Sequence, residues 1–195
     1  MRLFVALGLD ETIRQKIDVY LQGLAPFSPE ARWAKPESLH VTLKFIGDQP
    51  PEAVPQIEAS LAAIQCEPLS LALRGYGFFP NPHAARVFWL GMDAGPALPN
   101  LASHIDNALA ALAIPREEHA FAPHLTLARK GSAAPRIKRE QPTISPFQRL
   151  QQKLSAMPVP DFGTMTAHEF FLYESKLSPG GSRYTRLKGF PLRTT

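Results

Sequence analysis

The tetrad His-x-Thr-Leu occurs twice in this chain, as His40-Val41-Thr42-Leu43 and as His124-Leu125-Thr126-Leu127. Each copy lies in a run of alternating apolar residues that reads as a β-strand. With the chain's own residue frequencies, one such tetrad arises by chance in about one chain in thirty and two in about one in two thousand, so the repetition is a signal. Side chains alternate across a strand. His40 therefore shares a face with Thr42, and His124 with Thr126, each pair roughly 7 Å apart at the Cα. Val41, Leu43, Leu125 and Leu127 point the other way, into a core. The fold must present two strands with a polar, reactive face and an apolar back. Two imidazoles, each backed by a hydroxyl, suit phosphoryl chemistry, in which one histidine acts as base and the other as acid.

The rest of the chain repeats around these strands. Residues 2–9 read as a strand, and Asp10 caps a helix through about Leu24 with Ile13, Ile17, Tyr20, Leu21 and Leu24 on one face. The first motif strand spans 38–46, followed by a helix over 51–64 with Pro55 in its first turn and a strand over 69–79. The order then recurs: a strand over 85–92, a helix over 99–113, the second motif strand over 123–129, a short helix over 147–157 and strands over 165–174 and 183–188. With the histidines at 40 and 124, the repeat is too long for a small solenoid unit, and duplication of a half-domain is the economical reading. Two pseudo-two-fold-related lobes would place the motifs on opposite walls of a cleft. Antiparallel sheets with helices on their outer faces make this an α+β fold of one domain over residues 1–195.

Bulk properties narrow the function. A hydrophobic fraction of 45% is ample for a core, and no apolar run approaches the roughly 20 residues needed to span a bilayer. The opening MRLFVALGLDE has too short an apolar stretch for a signal peptide and reads as the first strand. The single cysteine, Cys66, excludes an intramolecular disulfide, which fits a cytoplasmic protein. A monomer with no membrane contact is expected. Charge is uneven. Residues 1–120 carry 9 Lys/Arg against 13 Asp/Glu, whereas residues 121–195 carry 12 against 4, a block attractive to RNA.

At these motifs the chain resembles the two-histidine (2H) phosphoesterase superfamily, and most closely its RNA 2′,3′-cyclic phosphodiesterase branch, also called 2′-5′ RNA ligases. The likeness covers nearly the whole length. It is carried by Arg2-Leu3-Phe4-Val5-Ala6, by Trp33 through Gly47 (WAKPESLHVTLKFIG), by Arg86-Val87-Phe88-Trp89, by Phe121 through Arg129 (FAPHLTLAR), and by Leu172 through Tyr184 with its Glu174-Ser175 and Gly180-Gly181. The proline-rich segment 131–146 follows no alignable pattern. The resemblance implies a bilobal LigT-like fold and metal-independent hydrolysis of an RNA 2′,3′-cyclic phosphate to a 2′-phosphomonoester. It also implies His40 as proton donor and His124 as proton acceptor, an assignment that the pseudo-symmetric residues themselves leave open.

Thr42 and Thr126 are expected to donate to the non-bridging phosphate oxygens. Arg129 reads by itself as a strand-end charge, and the resemblance implies that it lies near the phosphate, where a guanidinium neutralises transition-state charge. Lys44, read as sharing the face of His40, is a weaker candidate for the same role. Phe78, Phe79 and Tyr184 are candidates for stacking on a base. No cofactor or metal is expected: His119 and His124 lack the spacing of a zinc pair, and Gly75-x-Gly77 lacks the third glycine of a dinucleotide loop. Two other readings stand beside hydrolysis. One is 2′-5′ ligation of tRNA halves with a 5′-hydroxyl in place of water; the other is a non-catalytic module binding RNA or nucleotide. The basic residues Arg136, Lys138 and Arg139 are expected to touch the RNA backbone beyond the reactive end.

Overall fold

In the computed structural model, which describes residues 1–131, 147–178 and 181–193, nine strands and four α-helices are laid out among those residues. The first half runs β1 (Arg2–Gly8), α1 (Glu11–Leu24), β2 (Ala31–Trp33), β3 (His40–Asp48), α2 (Val54–Ala62) and β4 (Leu69–Phe79). The second runs β5 (Val87–Asp93), α3 (Ala97–Ala110), β6 (His124–Lys130), α4 (Gln148–Ser155) and β7 (Asp161–Ala167), and the hairpin β8 (Glu169–Ser178) with β9 (Gly181–Pro191) closes the chain. Arg136, Lys138 and Arg139 lie outside the described residues. Among the described residues no helix is long and apolar enough to cross a membrane.

Local chemistry explains the elements. Asp10 accepts the Ile13 backbone N–H at 2.7 Å, and Ile13, Ile17, Leu21 and Leu24 bury the inner stripe of α1. Each such side chain contributes about 1.5–3 kcal/mol relative to exposure, before chain entropy is counted. The proline-rich start of the second predicted helix forms a separate 3-10 turn over Pro51–Ala53. The predicted strand over 165–174 is two strands. The chain leaves one sheet at Ala167 and joins the other at Glu169, with His168 at the step. The three-residue β2 was not foreseen, being too short to show a period.

All pairings are antiparallel, in two sheets ordered β3-β1-β8-β9 and β2-β6-β5-β4-β7. The repeat is visible in this order: β3, β1, β8 and β9 occupy the places that β6, β5, β4 and β7 occupy in the second sheet. The strands are exchanged, because β4 belongs to the first half of the chain yet sits between β5 and β7. One continuous core, from Leu3 to Leu192, fills the helix side of both sheets. The opposite faces carry His40 and His124, and β3 and β6, from different sheets, lie against each other. The α+β, bilobal expectation therefore matches the architecture.

Candidate active site

His40 and His124 are the first residues of β3 and β6. Across the ladders each faces a glycine, Gly8 on β1 and Gly91 on β5. Both rings are held in the same way. His40 Nδ1–H donates to the Ser38 carbonyl at 2.6 Å, and His124 Nδ1–H to the Ala122 carbonyl at 2.7 Å. A carbonyl only accepts, so this contact keeps the proton on Nδ1 of the neutral ring and leaves Nε2 free for chemistry.

Thr42 and Thr126 follow on the same faces, both half-buried, while Val41, Leu43, Leu125 and Leu127 enter the core. A β-bulge comes next, at the same place in both motifs. Leu43 is the extra residue between the Thr42–Ala6 and Lys44–Val5 pairs, and Leu127 the extra residue between Thr126–Trp89 and Ala128–Phe88. The bulge turns the fifth residue of each motif strand inward and returns the sixth to the reactive face. On β6 the sixth residue is Arg129, whose Nη2 lies 3.5 Å from Thr126 Oγ1. On β3 it is Phe45, which is 59% exposed.

The bulge corrects the reading of Lys44. Simple alternation puts it beside His40, whereas the structure buries it to 2% exposure on the helix side. Its Nζ donates to the Pro115 carbonyl at 2.6 Å and lies 2.7 Å from Asp106 Oδ1 and 3.6 Å from Glu117 Oε1. Lys44 is a buried strut between β3, α3 and the segment leading to the second motif, with no free charge to offer a phosphate. Burial alone would raise the Asp106 carboxyl. The Lys44 hydrogen bond, the Glu117 backbone N–H and the charges of Lys44 and Arg116 together hold it below the ordinary value.

The aromatic candidates also divide. Phe78 is in the core, stacked on Phe88 at 5.2 Å, and faces no cleft. Phe79 packs edge-on to His124 at 5.0 Å and lies on Trp89 at 5.1 Å. Tyr184 meets the His40 ring edge-on at 5.0 Å. Sequence reasoning missed Phe4, stacked on Tyr173 at 5.0 Å and 4.8 Å from the His40 ring, and Trp89, 6.4 Å from that of His124. Gly77 explains the Trp89 pose: a Cβ there would overlap the indole, so its lack of a side chain lets the ring lie flat on the sheet. The signal was present as the Gly-x-Gly of β4, once a dinucleotide loop was set aside.

Burial pushes the His40 imidazole below its ordinary pKa. The Ser38 hydrogen bond opposes this, and the positive charge of Arg129, reaching across from the other sheet, adds to the lowering. Arg129 thus serves both walls, close to Thr126 and electrostatically felt at His40. Among the described residues, no three His, Cys, Asp or Glu side chains are grouped to hold a metal ion.

Known proteins resemble the chain along nearly its full length. A family model described as LigT-like phosphoesterase matches residues 7–89 and again 90–184, one histidine motif in each match. A protein of Archaeoglobus fulgidus named RNA 2′,3′-cyclic phosphodiesterase is 34% identical over 190 residues, covering 97% of this chain and 99% of the relative. A solved structure from Thermus thermophilus superposes with TM-score 0.78 at 31% identity, covering 99% of this chain and 98% of that one. Escherichia coli LigT, solved in complex with 3′-AMP, superposes with TM-score 0.78 at 28% identity and the same coverage.

Proposed function

The chain belongs to the LigT-like phosphoesterase family, and on that premise we propose that it opens the 2′,3′-cyclic phosphate at the end of RNA, leaving a 2′-phosphomonoester, without a metal ion. One observation carries this reading. Two histidines on different sheets have identically anchored Nδ1 atoms, and each is followed by a threonine on the same face. A binding module has no use for two matched imidazoles with free Nε2 atoms; in-line displacement at phosphorus needs both.

In the proposed reaction His124 Nε2 takes a proton from water as its oxygen attacks phosphorus. His40 Nε2–H gives a proton to the departing 3′ oxygen, so the P–O3′ bond breaks as the new P–O bond forms. Thr42 and Thr126 donate to the non-bridging oxygens, and Arg129 neutralises their growing charge. In the free protein burial, and after it the charge of Arg129, hold the His40 imidazole below its ordinary pKa. An anionic phosphate beside Arg129 cancels that second influence, so substrate itself promotes protonation of His40. Donor competence is thereby coupled to occupancy.

The test uses a cyclic-phosphate-ended oligonucleotide in EDTA. Wild type should open it, and His40→Ala with His124→Ala should abolish turnover. The assignment of roles has its own test in a cyclic substrate with sulfur at the bridging 3′ position. A thiolate leaves without a proton, so this substrate should rescue His40→Ala and not His124→Ala. The opposite pattern would exchange the two roles.

A further inference from the structure

Arg186, on β9, lies outside every motif that marks the reactive centre, yet its guanidinium is on the same open face. It sits 4.1 Å from the centroid of the Phe171 ring and donates through Nε to Tyr173 Oη at 3.0 Å. Phe171 and Tyr173, with Phe4 and Ala6, form a small apolar cluster separate from the main core. That cluster is the floor beneath His40. Among the described residues no carboxylate pairs with Arg186, although the acidic side chains of Glu58, Asp106 and Glu174 each hold a cation elsewhere. A cation fixed by aromatic contact and a neutral hydroxyl keeps its remaining N–H donors for an incoming anion.

Gly8 lies directly against this group. A Cβ at Gly8 would lie 3.0 Å from Arg186 Nη2, tighter than ordinary contact, so glycine leaves the volume that the guanidinium occupies. Gly8 is also the residue facing His40 across the β1–β3 ladder. The guanidinium therefore lies over the β1 position that pairs with the first histidine, on the neighbouring strand. Arg129 is the cation felt at the His40 ring. Two cations thus stand on different sheets of the site, Arg129 beside Thr126 and Arg186 on the aromatic floor of the first sheet.

We infer that Arg186 is a second anion subsite, which takes the phosphate on the 5′ side of the terminal nucleotide while the histidines engage its cyclic phosphate. This rests on the proposed function, and it names the substrate as a nucleotide bearing a phosphate at both ends of its ribose. In RNA that second phosphate is the diester to the preceding residue; in a mononucleotide it is a terminal 5′-phosphate. Both present two oxygens to a guanidinium fork.

The experiment compares three substrates: a nucleoside 2′,3′-cyclic phosphate with a free 5′-hydroxyl, the same molecule with a 5′-phosphate, and a dinucleotide with a cyclic end. Wild type should show a KM about tenfold lower for the two phosphate-bearing substrates. Arg186→Gln should erase that difference with kcat, measured well below the melting temperature, unchanged, and Arg186→Lys should restore part of it. Preference for the diester alone would assign the site to RNA, and preference for the monoester alone to mononucleotides. A wild type without preference overturns the inference. So does an Arg186→Gln variant that loses equally on all three, since the residue would then serve the reacting phosphate or merely hold Tyr173. Calorimetric binding of nucleoside 2′-monophosphates with and without a 5′-phosphate separates the two proposals. If wild type opens no cyclic phosphate but still prefers the 5′-phosphorylated ligand through Arg186, the subsite stands and the hydrolytic reading falls.

Discussion

A histidine on a strand becomes a usable acid or base only when one ring nitrogen is committed elsewhere, and both motifs achieve this with a carbonyl two residues upstream. Burial and the charge of Arg129 both bear on the His40 ring. Arg129→Gln should therefore raise the His40 pKa, read from imidazole NMR shifts in the free protein, while lowering kcat/KM by removing charge compensation at the phosphate. A His40 titration that stays put would mean burial alone sets its value. The sign for stability follows. A histidine with a depressed folded pKa opposes folding as pH falls through the ordinary value of about 6.5, where the unfolded chain takes up the proton more readily. His40→Gln should flatten the stability profile below about pH 7, measured by urea unfolding. The hydroxyls predict a purer catalytic effect. Thr42→Val and Thr126→Val keep shape and β-propensity, so each should lower kcat roughly tenfold to a hundredfold with the melting temperature unchanged. A loss of stability without loss of rate would make the threonines packing residues.

Strand alternation made four of the six site candidates legible, and the bulge hid what alternation alone cannot see. His40, Thr42, His124 and Thr126 precede Leu43 and Leu127, so a period of two describes them correctly. Beyond the bulge the parity changes. Lys44 was misplaced and Phe45 overlooked for this one reason, while Arg129 was reached only through the family resemblance. A bulge of this kind has no compositional mark, since its residues are ordinary apolar ones. The strut it creates has a measurable consequence. Lys44→Ala would leave Asp106 with only the Glu117 N–H and Arg116 at 3.8 Å, so the loss should fall below the about 3–5 kcal/mol of a fully buried charge stripped of its partner. Asp106 is held below its ordinary pKa, so its stabilising contribution is complete above that value and disappears as pH falls through the lowered one. Lys44→Ala should therefore shift the acid-unfolding midpoint upward. Its kcat, measured well below the new melting temperature, should stay near wild type. A selective fall in kcat at unchanged stability would return Lys44 to the substrate site.

The repeat was readable as a repeat, but the partnering of its strands was not, because β4 and the β8–β9 hairpin choose sheets through contacts far apart in sequence. β4 follows α2 directly, and nothing in its apolar alternation says that it pairs with β5 and β7 rather than with β1. The exchange should make the two lobes one cooperative body. Residues of both halves share a single core, and the hairpin from the end of the chain completes the sheet that opens it. Cutting the chain in the turn between β4 and β5, after Pro82, tests this directly. The fragment 1–82 retains β1 and β3 but loses β8 and β9, and its β4 has neither partner. The fragment 83–195 retains β5 and β6, while β7 loses β4 and the hairpin loses β1. Neither should give a dispersed amide NMR spectrum alone. Mixed, they should reassemble, because every missing edge of one is supplied by the other, and cyclic phosphodiesterase activity should return with the spectrum since each fragment brings one His-x-Thr. A dispersed spectrum from either fragment by itself would show that the lobes fold independently and that the strand exchange is incidental to stability.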